Sequence, residues 1–279
     1  MANPAFIYTN IKNYSLTASG GSFSTDYDIS NLKSYFSDDV WESNSLNSNQ
    51  TLIIDLGSIQ TINTLVIDNH NFSTVISTGS IKLISADNYD FTSNSATLIN
   101  NILTSNAGPY EFEFSDVSNR YFKIFYNGSM NERPYIGNIF LTNRLQFPRT
   151  YIFGYETNNG QSKSEEFVTP KGTIRTNSLD ISRDIYELNF KFMKPSFRND
   201  FLLFIKNVKG KSKPWYFKDV DNTIKYVQFM VDYSPSNIQN FDLNDIASIK
   251  FMSLLAESFV TPVIIYTGIS KTDDENIVI

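Results

Sequence analysis

From residue 51 to residue 143 the chain is a succession of short apolar stretches: TLIIDLG, TINTLVIDNH, GSIKLISA, YEFEFSD, RYFKIFYNG and YIGNIFLTN. Each is punctuated by Asn, Asp, Gly or Ser, the residues that turn a chain. Segments this short and this closely spaced predict an antiparallel sandwich or jelly roll and argue against a βαβ fold. In YEFEFSD, Tyr110, Phe112 and Phe114 alternate with Glu111, Glu113 and Ser115, which predicts one buried and one wet face. Composition agrees: 23 Phe and 16 Tyr with only 19% charged residues favour pleated surfaces, on which flat rings pack well.

The first 50 residues are rich in Ser, Asn, Thr, Asp and Gly, with aromatics set between them. So polar a segment cannot form a core of its own, so loops anchored by Tyr27, Tyr35, Phe36 and Trp41 are expected. A boundary is expected near LQFPRT, residues 145–150, where Pro148 cannot donate to a ladder. Beyond it, DIYELNFKFMK places Tyr186, Leu188, Phe190 and Phe192 on one face of a half-buried strand. PSFRNDFLLFIKNVKG then predicts a helix over 196–209, with Ser196 as N-cap, Gly210 just past its end, and Phe197, Phe201, Phe204 and Val208 at helical spacing. That helix should cover a sheet, built from KPWYFKDV, NTIKYVQFMVDY and SIKFMSLLAE.

The chain has no cysteine, which excludes disulfides and thiolate chemistry. Its N-terminus has no signal-peptide pattern and no apolar run is long enough for a membrane span, so a protein made in the cytoplasm is expected. Residues 1–145 carry 7 Lys and Arg against 13 Asp and Glu, and the rest of the chain is balanced. An acidic first half repels phosphate backbones, so no nucleic acid partner is expected.

Candidate chemistry is sparse. His70, the only histidine, follows Asp68 by two positions, and strand parity would set both on one face. A carboxylate orienting an imidazole is half of a catalytic arrangement; the alternative is a strand end whose polar side chains bond to the backbone. No nucleophile elbow or metal motif completes it, so no catalytic residue, no metal and no cofactor is assigned. Asp26, Asp28, Asp38 and Asp39 are either surface acids or oxygen ligands for Ca²⁺ without EF-hand spacing. Lys206, Lys209, Lys211 and Lys213 form a basic run that suits a helix C-terminus or contacts an acidic partner. Trp41 and Tyr35 are the candidates for a ligand-stacking surface, Trp41 being alternatively the plug of a sandwich.

WESNSLNSNQTLIIDLGSIQTINTLVIDNHNF resembles the discoidin, or coagulation-factor type C, group of galactose-binding-like jelly rolls. The matching positions are Trp41, Ser43, Asp55, Leu56 and Gly57, with RYFKIFYNG and IGNIFL resembling the closing strands, over about residues 20 to 145. The resemblance implies a module that binds glycans, lipids or proteins through loops at one end. The pairing of such a module with LQFPRT and a strand, helix and strand domain, and the HNF and FPR stretches, resemble tail-tip structural proteins of tailed bacteriophages.

The expectation is therefore a mainly β protein. Residues 1–145 would form a galactose-binding-like jelly roll marked by Asp55, Gly57 and His70, and 146–279 a β-rich, tail-tube-like sandwich with one covering helix and a C-terminal arm. The function expected from it is non-enzymatic: a virion tail-tip or baseplate component, assembled in the host cytoplasm. Its partners would be copies of itself in a ring and neighbouring tail proteins, with Val263, Ile264, Ile265 and Tyr266 as candidate docking residues. The alternative is a carbohydrate-binding module protein recognising a surface glycan. An enzyme ranks third.

Overall fold

The computed structural model describes residues 3–36, 38–45, 50–101, 108–130, 132–151, 163–168, 174–179, 184–190, 195–230 and 246–254. The expected mainly β class is met. After a short first strand, β1 (Ala5–Ile7), seven strands form one antiparallel sheet that folds back on itself as a two-layer sandwich: β2 (Ser15–Ala18), β3 (Trp41–Glu42), β4 (Gln50–His70), β5 (Ile76–Ala86), β6 (Ala96–Asn101), β7 (Tyr110–Met130) and β8 (Tyr135–Thr142). The long strands β4 and β7 belong to both layers. Residues 50–55 pair with 121–126, the ladder breaks after Asp55, and it resumes from Gln60 with Asn119. One layer runs β2, β4, β7, β5, β6 and the other β3, β8, β4, β7. Leu52, Ile54, Ile81, Leu83 and Ile124 from the first meet Leu65, Ile67, Phe112, Ile139 and Leu141 from the second in one core.

The break in β4 is where Asp55, Leu56 and Gly57 act. Asp55 Oδ1 accepts from the Gly57 N–H at 2.8 Å, and Gly57 has φ 77°, a backbone region in which a Cβ is strained. Arg120, beside the matching break in β7, grips Asp55 with Nε at 2.7 Å and Nη2 at 2.8 Å. The guanidinium fork holds the Asp55 carboxyl below its ordinary range and ties the two bends together.

A second sheet has the order β12 (Ile185–Phe190), β15 (Ile246–Ser253), β14 (Ile224–Phe229), β13 (Trp215–Lys218), β1, β9 (Leu145–Gln146). The N-terminal strand thus crosses the expected boundary at residue 145: Phe6 lies opposite Phe217 on one side and Leu145 on the other. A three-residue AFI stretch carries no periodicity from which its partner can be read.

Apart from the single turn α1 (Phe72–Val75), the α-helix among the described residues is α2 (Pro195–Val208), within one residue of the expected span. It buries Phe197, Phe201, Phe204, Ile205 and Val208 against Phe6, Trp215, Phe217, Val227, Phe229 and Phe251. β12 alternates as expected at Tyr186, Leu188 and Phe190, whereas Phe192 lies outside the described residues. No helix among the described residues is long and apolar enough to cross a membrane.

The other face of the second sheet packs on the sandwich. Ile7, Tyr216 and Tyr226 meet Val66 and Phe140, the outward side chains of β4 and β8. Asn10 Nδ2 donates to Asn138 Oδ1 at 3.3 Å across the same seam. Here the expected wet face of YEFEFSD holds at Glu113 and Ser115, which are exposed, and is corrected at Glu111: its side chain is buried and its Oε2 lies 2.6 Å from Lys218 Nζ, while Glu113 pairs with both Lys218 and Arg144. Alternation along one strand reveals which residues share a face, not that a second sheet will cover the polar one.

Candidate functional site

Asp68 and His70 are not a pair. Asn69 between them has φ 49°, in the left-handed region, which breaks the strand alternation on which a common face depends. Asp68 accordingly turns to the second sheet, where Oδ2 accepts from Tyr216 O–H at 2.6 Å and Oδ1 from the Asn69 N–H at 2.8 Å. His70 turns into the sandwich core, stacked 4.8 Å from Phe72 and tilted against Tyr110 at 5.3 Å. Its Nδ1 accepts from the Phe72 N–H at 3.3 Å, and burial holds the imidazole down to about 4. It is neutral near pH 7 and closes a turn.

Trp41 is 1% exposed, within the sandwich core, with Nε1 donating to Gly21 O at 3.1 Å. No face of its indole is open to a ligand, so the stacking candidate is corrected to the plug of the sandwich. Of the N-terminal acids, Asp28 caps the 3-10 turn Ile29–Lys33 by accepting from the Ser30 N–H at 2.8 Å, and Asp39 Oδ2 accepts from Ser34 O–H at 2.6 Å. Among the described residues no three His, Cys, Asp or Glu come together as a metal site would need. Val263, Ile264, Ile265 and Tyr266 lie outside the described residues.

Tyr35 does reach a concave site. A cavity of ≈430 Å³ opens where the loop after Ile29–Lys33 meets the second sheet, lined by Lys12, Ser34, Tyr35, Phe36, Asp38, Ser212, Pro214, Tyr226, Gln228 and Leu254. Tyr226 O–H donates to the Tyr35 carbonyl at 2.6 Å, pinning the loop to β14. Lys12 Nζ stands 4.7 Å from the centre of the Tyr35 ring. Phe36, expected as an anchor, is 73% exposed. Burial raises the Tyr35 phenol, so it is a neutral hydroxyl near pH 7.

The cavity therefore combines three aromatic side chains, an ammonium, a carboxylate and several neutral polar groups in a setting fixed by a hydrogen bond between the loop and the second sheet. Sequence reasoning marked Tyr35 but missed Lys12, Tyr226 and Gln228. They come from separate stretches that only the packing of the two sheets brings together, so no local signal could have found them.

No protein-family model matches the chain. No curated protein matches it either. Solved structures match about half of it. Chitosan-binding module 1 of a chitosanase/glucanase from Paenibacillus sp. IK-5 is 18% identical, with 49% of this chain and 100% of that one covered and a TM-score of 0.41. The family 32 carbohydrate-binding module of Clostridium perfringens NanJ, solved with galactose, is 11% identical, with 50% and 98% covered and a TM-score of 0.40. A Ruminococcus gnavus GH29 fucosidase, solved with fucose, is 15% identical, with 48% of this chain but 26% of that enzyme covered and a TM-score of 0.41.

Proposed function

We propose that the chain is a non-catalytic glycan-recognition protein whose saccharide lies in the cavity between the Tyr35–Phe36 loop and the second sheet. The observation that carries this reading is Phe36: a phenylalanine exposed at the lining of a cavity that also holds Lys12, Asp38, Ser212 and Gln228. A sugar ring has an apolar C–H face that packs on an aromatic ring and hydroxyls that need donors and acceptors at its edge. A concave site with apolar walls and a few placed polar groups meets both needs. The Tyr226 bond to the loop holds the aromatic residues in place before a ligand arrives, which lowers the ordering cost of binding.

The test is a glycan array with the full chain and its Phe36→Ala variant. An exposed ring contributes little to folding, so the variant keeps its stability to within about 0.5 kcal/mol. Reproducible glycan signals that fall at least about tenfold in the variant support the reading. Signals that persist undiminished, or none from the intact chain, count against it.

A second reading is a structural part of a virion tail, in contact with copies of itself and with neighbouring tail or baseplate proteins. It is favoured by the hairpin of β10 (Lys163–Val168) and β11 (Ile174–Leu179), which pair only with each other among the described residues. A two-stranded ribbon is marginal in water and gains most from a neighbour. Native mass spectrometry of the full chain and of a variant lacking residues 161–181 decides. Ring-sized masses present in the first and lost in the second are expected on this reading, and monomers in both cases contradict it.

A further inference from the structure

We infer that Phe23, Tyr27 and Arg133 form a second recognition site, apart from the cavity, for a protein segment that presents an acidic side chain beside an apolar one. None of the three lines the cavity, so this site stands whether or not a saccharide binds there. Three of the six large apolar side chains exposed among the described residues, Phe23, Tyr27 and Phe36, come from one stretch of loop. Phe23 and Tyr27 are 41% and 38% exposed, with their ring centres 6.1 Å apart.

Their exposure is not that of a loose segment. The Phe23 N–H donates to Glu42 O at 2.8 Å, the Tyr27 carbonyl accepts from the Glu42 N–H at 3.2 Å, and Trp41 Nε1 donates to Gly21 O. Both rings are therefore set before a partner arrives, which lowers the ordering cost of binding.

Arg133 reaches them from the segment before β8. Its carbonyl accepts from Asn71 Nδ2 at 2.8 Å, and its guanidinium carbon stands 4.1 Å from the centre of the Phe23 ring. Arg120 also lies over a ring, that of Tyr121, but its fork is taken by Asp55, and Arg144 pairs with Glu113. Arg133 has no such carboxylate. Its side chain makes no ion pair or hydrogen bond among the described residues, although Glu132 precedes it in sequence, and its Nε is buried without a partner. In residues 1–145, where 13 acidic residues outnumber 7 basic ones, an arginine fixed in place without a carboxylate leaves that group to be supplied from outside.

A guanidinium laid on an aromatic face is shielded from water on that side, and its edge presents parallel N–H groups that match a carboxylate. The Tyr27 ring beside Phe23 supplies the apolar contact. Tyrosine and arginine in a fixed setting are the side chains on which protein interfaces concentrate their binding energy. Arg133 covers one face of Phe23, so this ring is not the open platform that Phe36 is, which favours a peptide over a sugar ring.

Selection of random peptides displayed on phage against the full chain tests the inference. The enriched peptides are then synthesised and titrated calorimetrically into the full chain and its Arg133→Gln, Tyr27→Ala and Phe36→Ala variants, each shown to be folded by its urea midpoint. Enriched peptides are expected to carry Asp or Glu next to an apolar residue, and their Asn or Gln counterparts to bind at least about tenfold more weakly. Arg133→Gln and Tyr27→Ala should each weaken the acidic peptides by about tenfold as well, while Phe36→Ala leaves them unchanged. Enrichment of no peptide, of peptides without an acid, or of peptides indifferent to either Arg133→Gln or Tyr27→Ala overturns the inference. Peptides lost only in Phe36→Ala occupy the cavity and overturn it too. So does a glycan-array signal that falls in Arg133→Gln and persists in Phe36→Ala, because the site then takes a sugar.

Discussion

Phe6→Ala is expected to lower the unfolding free energy of the second sheet by about 3–5 kcal/mol, the range for deleting a buried phenylalanine ring. Phe6 is fully buried and lies 4.3 Å from Trp215, 4.7 Å from Phe147 and 4.8 Å from Phe204, ring centre to ring centre. It therefore links β9, β13 and α2 through one side chain. Its strand also supplies the ladder between β13 and β9, which without β1 would each expose an edge. Removing residues 1–8 should be worse still, stripping hydrogen-exchange protection from those amides of Tyr216–Lys218 that face β1. Urea unfolding of Phe6→Ala and exchange of the truncated chain check this, and an unchanged midpoint with retained protection would show that β1 is dispensable.

Tyr216→Phe is expected to cost about 2–3 kcal/mol at neutral pH, the size of a buried hydrogen bond to a charged group. The hydroxyl removed is the one that reaches Asp68 Oδ2, and the ring, packed edge-on 4.9 Å from Phe140, stays behind. The loss has a pH signature. Burial raises the Asp68 carboxyl above its ordinary 3.8 despite the Tyr216 and Asn69 bonds, so the native state holds this proton longer than the unfolded chain. Its contribution to folding is fully present below 3.8 and is lost as pH rises through the raised native value. Removing the hydroxyl raises that value further, so the variant's deficit should be largest near neutrality and shrink towards pH 4. Urea midpoints of both proteins across this range check it, and a deficit independent of pH would mean that Asp68 is not the group left unsatisfied.

Much of the fold was legible where the signal is local. Alternating apolar runs gave the strand class, Asp55 and Gly57 marked the bend because only a short acceptor and a residue free at positive φ close that turn, and α2 was set by its apolar spacing. What sequence could not supply were partners at long range. Asp68 reads as the neighbour of His70 because two positions is a short step, yet its bond is to Tyr216, 148 positions away. Trp41 reads equally as platform or plug until burial decides. Tyr27 and Phe36 read as anchors because aromatics in polar loops usually are, yet both are exposed, Phe36 the more so at 73%. The cavity is legible at Tyr35, but nothing in that segment says that Lys12, Tyr226 and Gln228 lie beside it.

The central claim, that a saccharide lies between the Tyr35–Phe36 loop and the second sheet, is tested most directly by amide chemical-shift mapping of the full chain with the tightest glycan from the array. Saturable shifts are expected at Lys12, Tyr35, Phe36, Ser212 and Gln228, which surround one cavity although they are spread through the sequence. Shifts confined to another exposed apolar surface, such as Ile59 or Tyr89, with these five unmoved, would contradict it.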